Sequence, residues 1–200
     1  MADAGRVIAG TARGVRLAAP GEGTRPLADR VKQTLFAVLE AGTLGPWPAD
    51  FLDLFAGSGA GGIEALSRDA ARAVFVERDG GACRVIDENL RRARLTDRAR
   101  VVRGEVLRTL AGDPAALGGP FGAALLDPPY GDAAMLPALE RLAAPEPAWL
   151  TPSAVVVAKH FWRDPPPERV GWLVRRRVRR FGETMLSFYV LDESPREERP

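Results

Sequence analysis

Two short segments of this 200-residue chain combine residue types and spacings that can do chemistry. The first, FLDLFAGSGAGG, sets Asp53 in an apolar run and then turns through Gly57, Gly59, Gly61 and Gly62 into a helical stretch. Gly57, Gly59 and Gly62 satisfy G-x-G-x-x-G after a strand, a pattern that lets backbone approach a nucleotide-like ligand closely. Two carboxylates narrow the ligand. Glu77 ends the next apolar run twenty residues after Gly57, where an acidic side chain can accept both hydroxyls of a ribose. Asp53 stands four residues before the first glycine, and a pyrophosphate that close to a carboxylate would cost on the order of 1–4 kcal/mol. A ligand with a sulfonium and an ammonium would be attracted instead, so the pattern favours S-adenosylmethionine over a dinucleotide. Glu105, after the third run ARVVRG, is a candidate acceptor for an adenine amine.

The second segment, FGAALLDPPYGD, puts Asp127, Pro128, Pro129 and Tyr130 directly after a fully apolar run. Two consecutive prolines stiffen the loop and remove two N–H donors, which leaves carbonyls as its polar backbone groups. An ionised Asp127 is likewise only an acceptor. Such an array suits an exocyclic amine on a planar base. Acceptors that hold both amine hydrogens favour a pyramidal nitrogen whose lone pair can face a methyl donor, while Tyr130 stacks on the base. Rate would come from positioning and charge complementarity, without a covalent enzyme intermediate.

The elements that must position these residues follow from periodicity. Runs at 51–55, 73–77, 100–103, 123–127 and 154–158 read as strands, and stretches at 63–68, 81–94, 106–110 and 135–142 as the helices between them. That alternation predicts a parallel sheet covered on both faces. Residues 172–180 and 185–191, joined by the turn FGET, predict a terminal hairpin and therefore an antiparallel last strand. Ahead of the sheet, residues 6–19 read as a hairpin around Gly10 and Gly14, and 29–40 as a helix. The expected fold is thus α/β and Rossmann-like, a doubly wound seven-stranded sheet with an antiparallel last strand and a small N-terminal hairpin and helix. The expected division is an extension at 1–45, a main domain at 46–192 and a frayed tail at 193–200.

Composition sets the outer bounds. Hydrophobic residues at 46% and charged residues at 27% are ordinary for a globular protein. No apolar run reaches about 18 residues and the N-terminus lacks the apolar core of a secretory signal, so the chain reads as cytoplasmic with no membrane partner. One cysteine, Cys83, and one histidine, His160, exclude an internal disulfide and His- or Cys-cluster metal sites, so no metal is expected. Of 28 basic residues only Lys32 and Lys159 are lysines. The arginines concentrate at both ends, with seven between 163 and 180. Arginine's planar fork suits phosphate, although GC-rich coding alone explains much of the excess.

With these residues in hand, the chain resembles the RsmD family of small-subunit (16S) ribosomal RNA guanine-N2 methyltransferases. The resemblance spans roughly residues 6–191 and rests on RVIAGTARGVRL, TRPLADRVKQTLFAVL, DLFAGSGAGGIEALSR, VFVERD, LLDPPY and GETMLSFY. The glycine loop and DPPY are shared by many amino-methylating enzymes; the N-terminal segment is the restrictive part. The resemblance implies a class I methyltransferase fold, S-adenosylmethionine as donor and a guanine of 16S rRNA as acceptor, within the 30S subunit; nothing in the sequence suggests an obligate dimer, so a monomer is expected. By position it implies that Asp127, Pro128, Pro129 and Tyr130 hold the target amine and base. Asp53, Phe55, Ala56, Gly57, Ser58, Gly59, Glu77, Arg78, Glu105 and Val106 would surround the cofactor, with Thr24 and Arg25 closing over its methionine end. Arg13, Arg16, Arg30 and Lys32 become candidates for RNA contact. Two positions depart from the family pattern: Gly61 replaces a larger apolar residue, and Lys159-His160 stands where an acidic residue is frequent. Competing readings are a DNA adenine or cytosine amino-methyltransferase, a nicotinamide dehydrogenase that would leave DPPY unexplained, and a non-catalytic RNA-binding module.

Overall fold

The computed structural model describes residues 3–21 and 27–192. The chain opens with an antiparallel hairpin, β1 (Asp3–Arg6) and β2 (Arg16–Ala18), followed by α1 (Asp29–Glu40). Strands and helices then alternate: β3 (Phe51–Leu54), α2 (Ala60–Ser67), β4 (Ala73–Glu77), α3 (Gly80–Ala93), β5 (Ala99–Arg103), α4 (Val106–Leu110), β6 (Phe121–Leu126), α5 (Met135–Ala143) and β7 (Leu150–Phe161). The last three strands are β8 (Arg169–Val170), β9 (Leu173–Phe181) and β10 (Thr184–Leu191).

The large sheet has the order β5-β4-β3-β6-β7-β10-β9-β8. β3 pairs in parallel with both β4 and β6, and β10 pairs antiparallel with both β7 and β9. Seven strands are those the periodicity predicts. The eighth, β8, corrects the expected count: it is two residues long and follows three consecutive prolines, too short to print an alternating pattern. The N-terminal hairpin also pairs from Asp3 rather than Arg6. Ile8 and Ala9 do not extend the strand, because their N–H groups donate at 2.8 and 3.1 Å to the carboxylate of Glu64 on α2.

Every residue of β3 is buried, as a strand covered on both faces requires. Leu35, Phe36, Phe51, Ile63, Leu125 and Phe188 pack in the layer on one face; Leu54, Phe121, Leu139, Trp149 and Tyr189 pack on the other. Val7, Leu17 and Val31 of the hairpin and α1 belong to the first of these layers. The hairpin is tied down further by Asn89 of α3, which bonds the backbone of Ala18 through both ends of its amide and donates to the Ser58 carbonyl at 2.9 Å. No helix among the described residues is long and apolar enough to cross a membrane.

Candidate active site

Strand order reverses direction between β3 and β6, and in such sheets the crevice beyond the strand ends at that point binds ligands. Leu54 and Leu126 are register partners, and the Asp127 N–H donates to the Leu54 carbonyl at 3.3 Å. The glycine loop and the DPPY loop therefore leave the sheet side by side. They open on a cavity of about 1140 Å³.

On the glycine-loop side the chain reverses at Phe55, whose φ of 62° is unusual for a bulky residue and marks backbone held in place by its surroundings. Gly57 and Gly59 also have positive φ, at 56° and 76°. Glu77 at the end of β4 accepts from the Gly57 N–H at 2.9 Å and from the Asp79 N–H at 2.8 Å, which fixes its carboxylate on the cavity wall. Asp53 is 2% exposed and accepts from the Gly62 N–H at 2.7 Å. Burial pushes its carboxyl up to about 8 against the pull of that hydrogen bond, and the charges of Asp127 and Glu77 push the same way. Without a cation beside it, Asp53 is shifted toward its protonated form, and a cation beside it would favour the ionised one. Gly61 has a reason as well: a Cβ there would lie 2.6 Å from Leu125 Cδ2 and 3.1 Å from Asp53 Oδ2, so α2 can press this closely on the sheet only without a side chain.

On the other side, Asp127, Pro129 and Tyr130 line the cavity, and Pro128 between them is buried. Tyr130 is 38% exposed, and its hydroxyl shares a 2.6 Å hydrogen bond with that of Thr184. Lys159, at the end of β7, forms an ion pair with Asp127 and lies 5.4 Å from the centre of the Tyr130 ring. Burial holds the Asp127 carboxyl above the usual carboxylate range, and the charge and hydrogen bond of Lys159 offset only part of that rise. Next to it, His160 is structural. Its Nδ1 meets the Phe161 carbonyl at 2.9 Å and so carries the proton, and its Nε2 accepts from the Ser187 hydroxyl at 2.9 Å.

Phe55, Ala56, Gly57, Ser58, Arg78, Glu105 and Val106 also line the cavity, and Gly59 caps α2 just behind it. Glu105 pairs loosely with Arg78 at 3.8 Å, both largely exposed. Among the described residues around the cavity, Asp53, Glu77, Asp79, Glu105, Asp127 and Asp132 face two cations, Arg78 and Lys159. That balance fits a positively charged ligand and opposes a diphosphate. The segment after β2 and the start of α1 form one wall through Pro20, Leu27 and Val31. Thr24 and Arg25 lie outside the described residues, as does the tail at 193–200.

The four candidate RNA contacts do not line this cavity. Arg13 and Arg30 are exposed, and Arg16 is exposed but paired with Asp3 at 3.1 Å. Lys32 requires correction. Its side chain is wholly buried, bonded to the Arg6 carbonyl and 3.4 Å from the Asp29 carboxylate, so it anchors the hairpin to α1 and presents nothing to a phosphate. Sequence reasoning singled out no role for Lys159, Thr184, Glu64 or Asn89. For Thr184 and Glu64 the signal was available, because GETMLSFY and DLFAGSGAGGIEALSR contain them; Lys159 and Asn89 become visible only once distant segments meet.

The chain matches the family described as "Conserved hypothetical protein 95" over residues 5–190. It is 37% identical over 187 residues to "Putative rRNA methyltransferase YlbH" of Bacillus subtilis, covering 92% of this chain and 97% of that one. It is 40% identical over 126 residues to "Ribosomal RNA small subunit methyltransferase D" of Escherichia coli, covering 62% and 60% of the two. Among solved structures, a hypothetical protein of Thermus thermophilus superposes with a TM-score of 0.77 at 34% identity, covering 93% of this chain and 99% of that one. A glycine loop and a DPPY loop side by side at the switch point, with relatives matched along nearly the whole chain, leave one conclusion: this protein belongs to the RsmD family, enzymes of the class I methyltransferase fold.

Proposed function

We propose that this protein transfers a methyl group from S-adenosylmethionine to the N2 amine of a guanine in small-subunit (16S) ribosomal RNA, acting as a monomer in the cytoplasm on the 30S subunit. One observation carries the reading: Asp53 and Asp127, on neighbouring strand ends, face one predominantly acidic cavity from its two sides. The ribosomal substrate is supported by the names of the relatives, which lend nothing to the DNA alternative.

The donor, when bound, supplies a methyl group activated by a positively charged sulfur. The chain's own residues do the rest. The carboxylate of Glu77, held by two backbone N–H groups, keeps lone pairs free to accept from ribose hydroxyls. Asp53 ionises against the cation and balances it. Asp127 and the Pro128 carbonyl accept the two hydrogens of the amine and turn its lone pair toward the methyl group. Tyr130, fixed by Thr184, offers a ring face to the base. As the N–C bond forms and the S–C bond breaks, the amine sheds one proton, and Asp127 is the base at hand. Preorganised acceptors of this kind act without reorganising during the step.

The test is to incubate the protein with methyl-labelled donor and small subunits lacking the modification, then map the label. Label on a guanine N2 upholds the reading. Label on another base, or on DNA alone, overturns it.

A further inference from the structure

The arginine-rich strand β9 and the aromatic residues at the end of β7 take no part in the cavity described above. Phe161 and Trp162 leave the sheet beside the acceptor loop. The Tyr130 ring centre lies 5.8 Å from that of Phe161, which lies 6.3 Å from that of Trp162. Two guanidinium groups approach Trp162, Arg180 at 4.1 Å and Arg163 at 4.8 Å from the ring centre. Three rings and two cations thus make a continuous strip that starts at the exposed tyrosine and wraps around the end of β7.

Counter-ions along β9 are unevenly distributed. Arg175 is held by Glu168 at 2.7 Å and Arg176 by Asp192 at 2.8 Å, both at the end of the strand remote from the acceptor loop. Toward the acceptor loop, Arg177, Arg179 and Arg180 form no ion pair among the described residues, and neither does Arg163. Asp164 and Glu183 are the carboxylates of the adjoining turns. Uncompensated guanidinium groups beside stacked rings match the two needs of an unpaired nucleotide, a surface for its base and a charge for its phosphate. A base-paired helix hides its ring faces and could use only the charges.

We propose that this strip binds a single-stranded stretch of RNA adjoining the target nucleotide. Its bases stack on Trp162 or on the guanidinium planes laid over it, and its phosphates meet Arg163 and Arg180. The proposal rests on the RNA substrate proposed above and extends it from the target base to its neighbours.

The probe is a short single-stranded oligoribonucleotide of mixed sequence, with affinity for the full chain measured by fluorescence anisotropy over a salt series. Trp162→Ala should weaken binding about tenfold, equivalent to about 1.4 kcal/mol, and Trp162→Phe should restore most of it. The double variant Arg163→Gln/Arg180→Gln should flatten the slope of log affinity against log salt by about 0.7 for each phosphate no longer neutralised. S-adenosylmethionine affinity should stay unchanged in all of them. If Trp162→Ala loses that as well, it has misfolded, and the double variant, which keeps the ring, decides. Unaltered affinity and slope overturn the proposal. So does equal binding of duplex RNA, or binding of an acidic protein segment in place of RNA. RNA binding that responds to these substitutions, in RNA that is never methylated, upholds the strip and sinks the proposed methyl transfer, so the two can fail separately.

Discussion

Asp53 and Asp127 are the same residue type at the ends of adjacent strands, yet their surroundings separate them. Asp127 has Lys159 as a counter-charge; Asp53 has only a backbone N–H and two other carboxylates nearby. Replacing Asp127 with Ala should lower methyl transfer by at least about a hundredfold while S-adenosylmethionine affinity, read by calorimetry, stays within a few fold. An equal loss of donor affinity would assign Asp127 to the donor side instead. Lys159→Met removes both influences that bring the Asp127 carboxyl down, so more of it is protonated at a given pH. The acid limb of the kcat–pH profile should move to higher pH, and Lys159→Arg should return it. An unmoved limb would mean that the ionisation of Asp127 does not govern the rate. For Asp53 the sign runs through binding. Below about pH 8 the free protein holds a proton on this group, and a cationic donor favours the ionised form, so binding expels the proton. Donor affinity should therefore rise with pH, by up to about tenfold per unit, and level off above about 8. Asp53→Asn, measured alongside to subtract the donor's own titration, should lose that rise.

At the scale of elements, the site depends on how closely α2 presses on β3 and β6. An added methyl at Gly61 would meet Leu125 at 2.6 Å, and overpacking of this kind costs typically about 1–3 kcal/mol. Gly61→Ala should lower the urea midpoint with little change in slope; an unshifted midpoint would show that the helix can back away freely. Most of this architecture is legible in the sequence because it rests on local patterns. Helix α1 occupies Asp29–Glu40, and β4 Ala73–Glu77, as apolar spacing and flanking glycines predict. The glycine loop and DPPY loop announce themselves because backbone geometry demands glycine and proline there. Lys32 misleads for the opposite reason: nothing in its neighbourhood along the chain says that the carbonyl of Arg6 waits 26 residues away. Likewise Lys159 gains its meaning from Asp127, 32 residues distant, and such pairings become visible only when the strands are laid in order.

At the scale of the whole molecule, the N-terminal hairpin is bound to the sheet layer by more than contact. Glu64, fully buried, accepts from two hairpin N–H groups and from Arg68 at 2.7 Å. Gly10 fits so tightly over α2 that a Cβ would fall 1.6 Å from the Ser67 carbonyl oxygen. The hairpin should accordingly unfold with the sheet. Urea transitions followed by far-ultraviolet dichroism and by a fluorescent label on the exposed Arg13→Cys position, in a Cys83→Ala background, should coincide; an earlier transition at the label would mark the extension as an independent unit. The parallel pairing of β3 with β6 has a last consequence. Asp53, proposed to face the donor, sits on β3, and the loop of Asp127, proposed to face the acceptor, follows β6, so the backbone ladder between these two strands fixes how far apart they stand. Evolution or a protein engineer can therefore rewrite the loop after β6, and with it the molecule that gets modified, without disturbing the half of the machine that supplies the carbon.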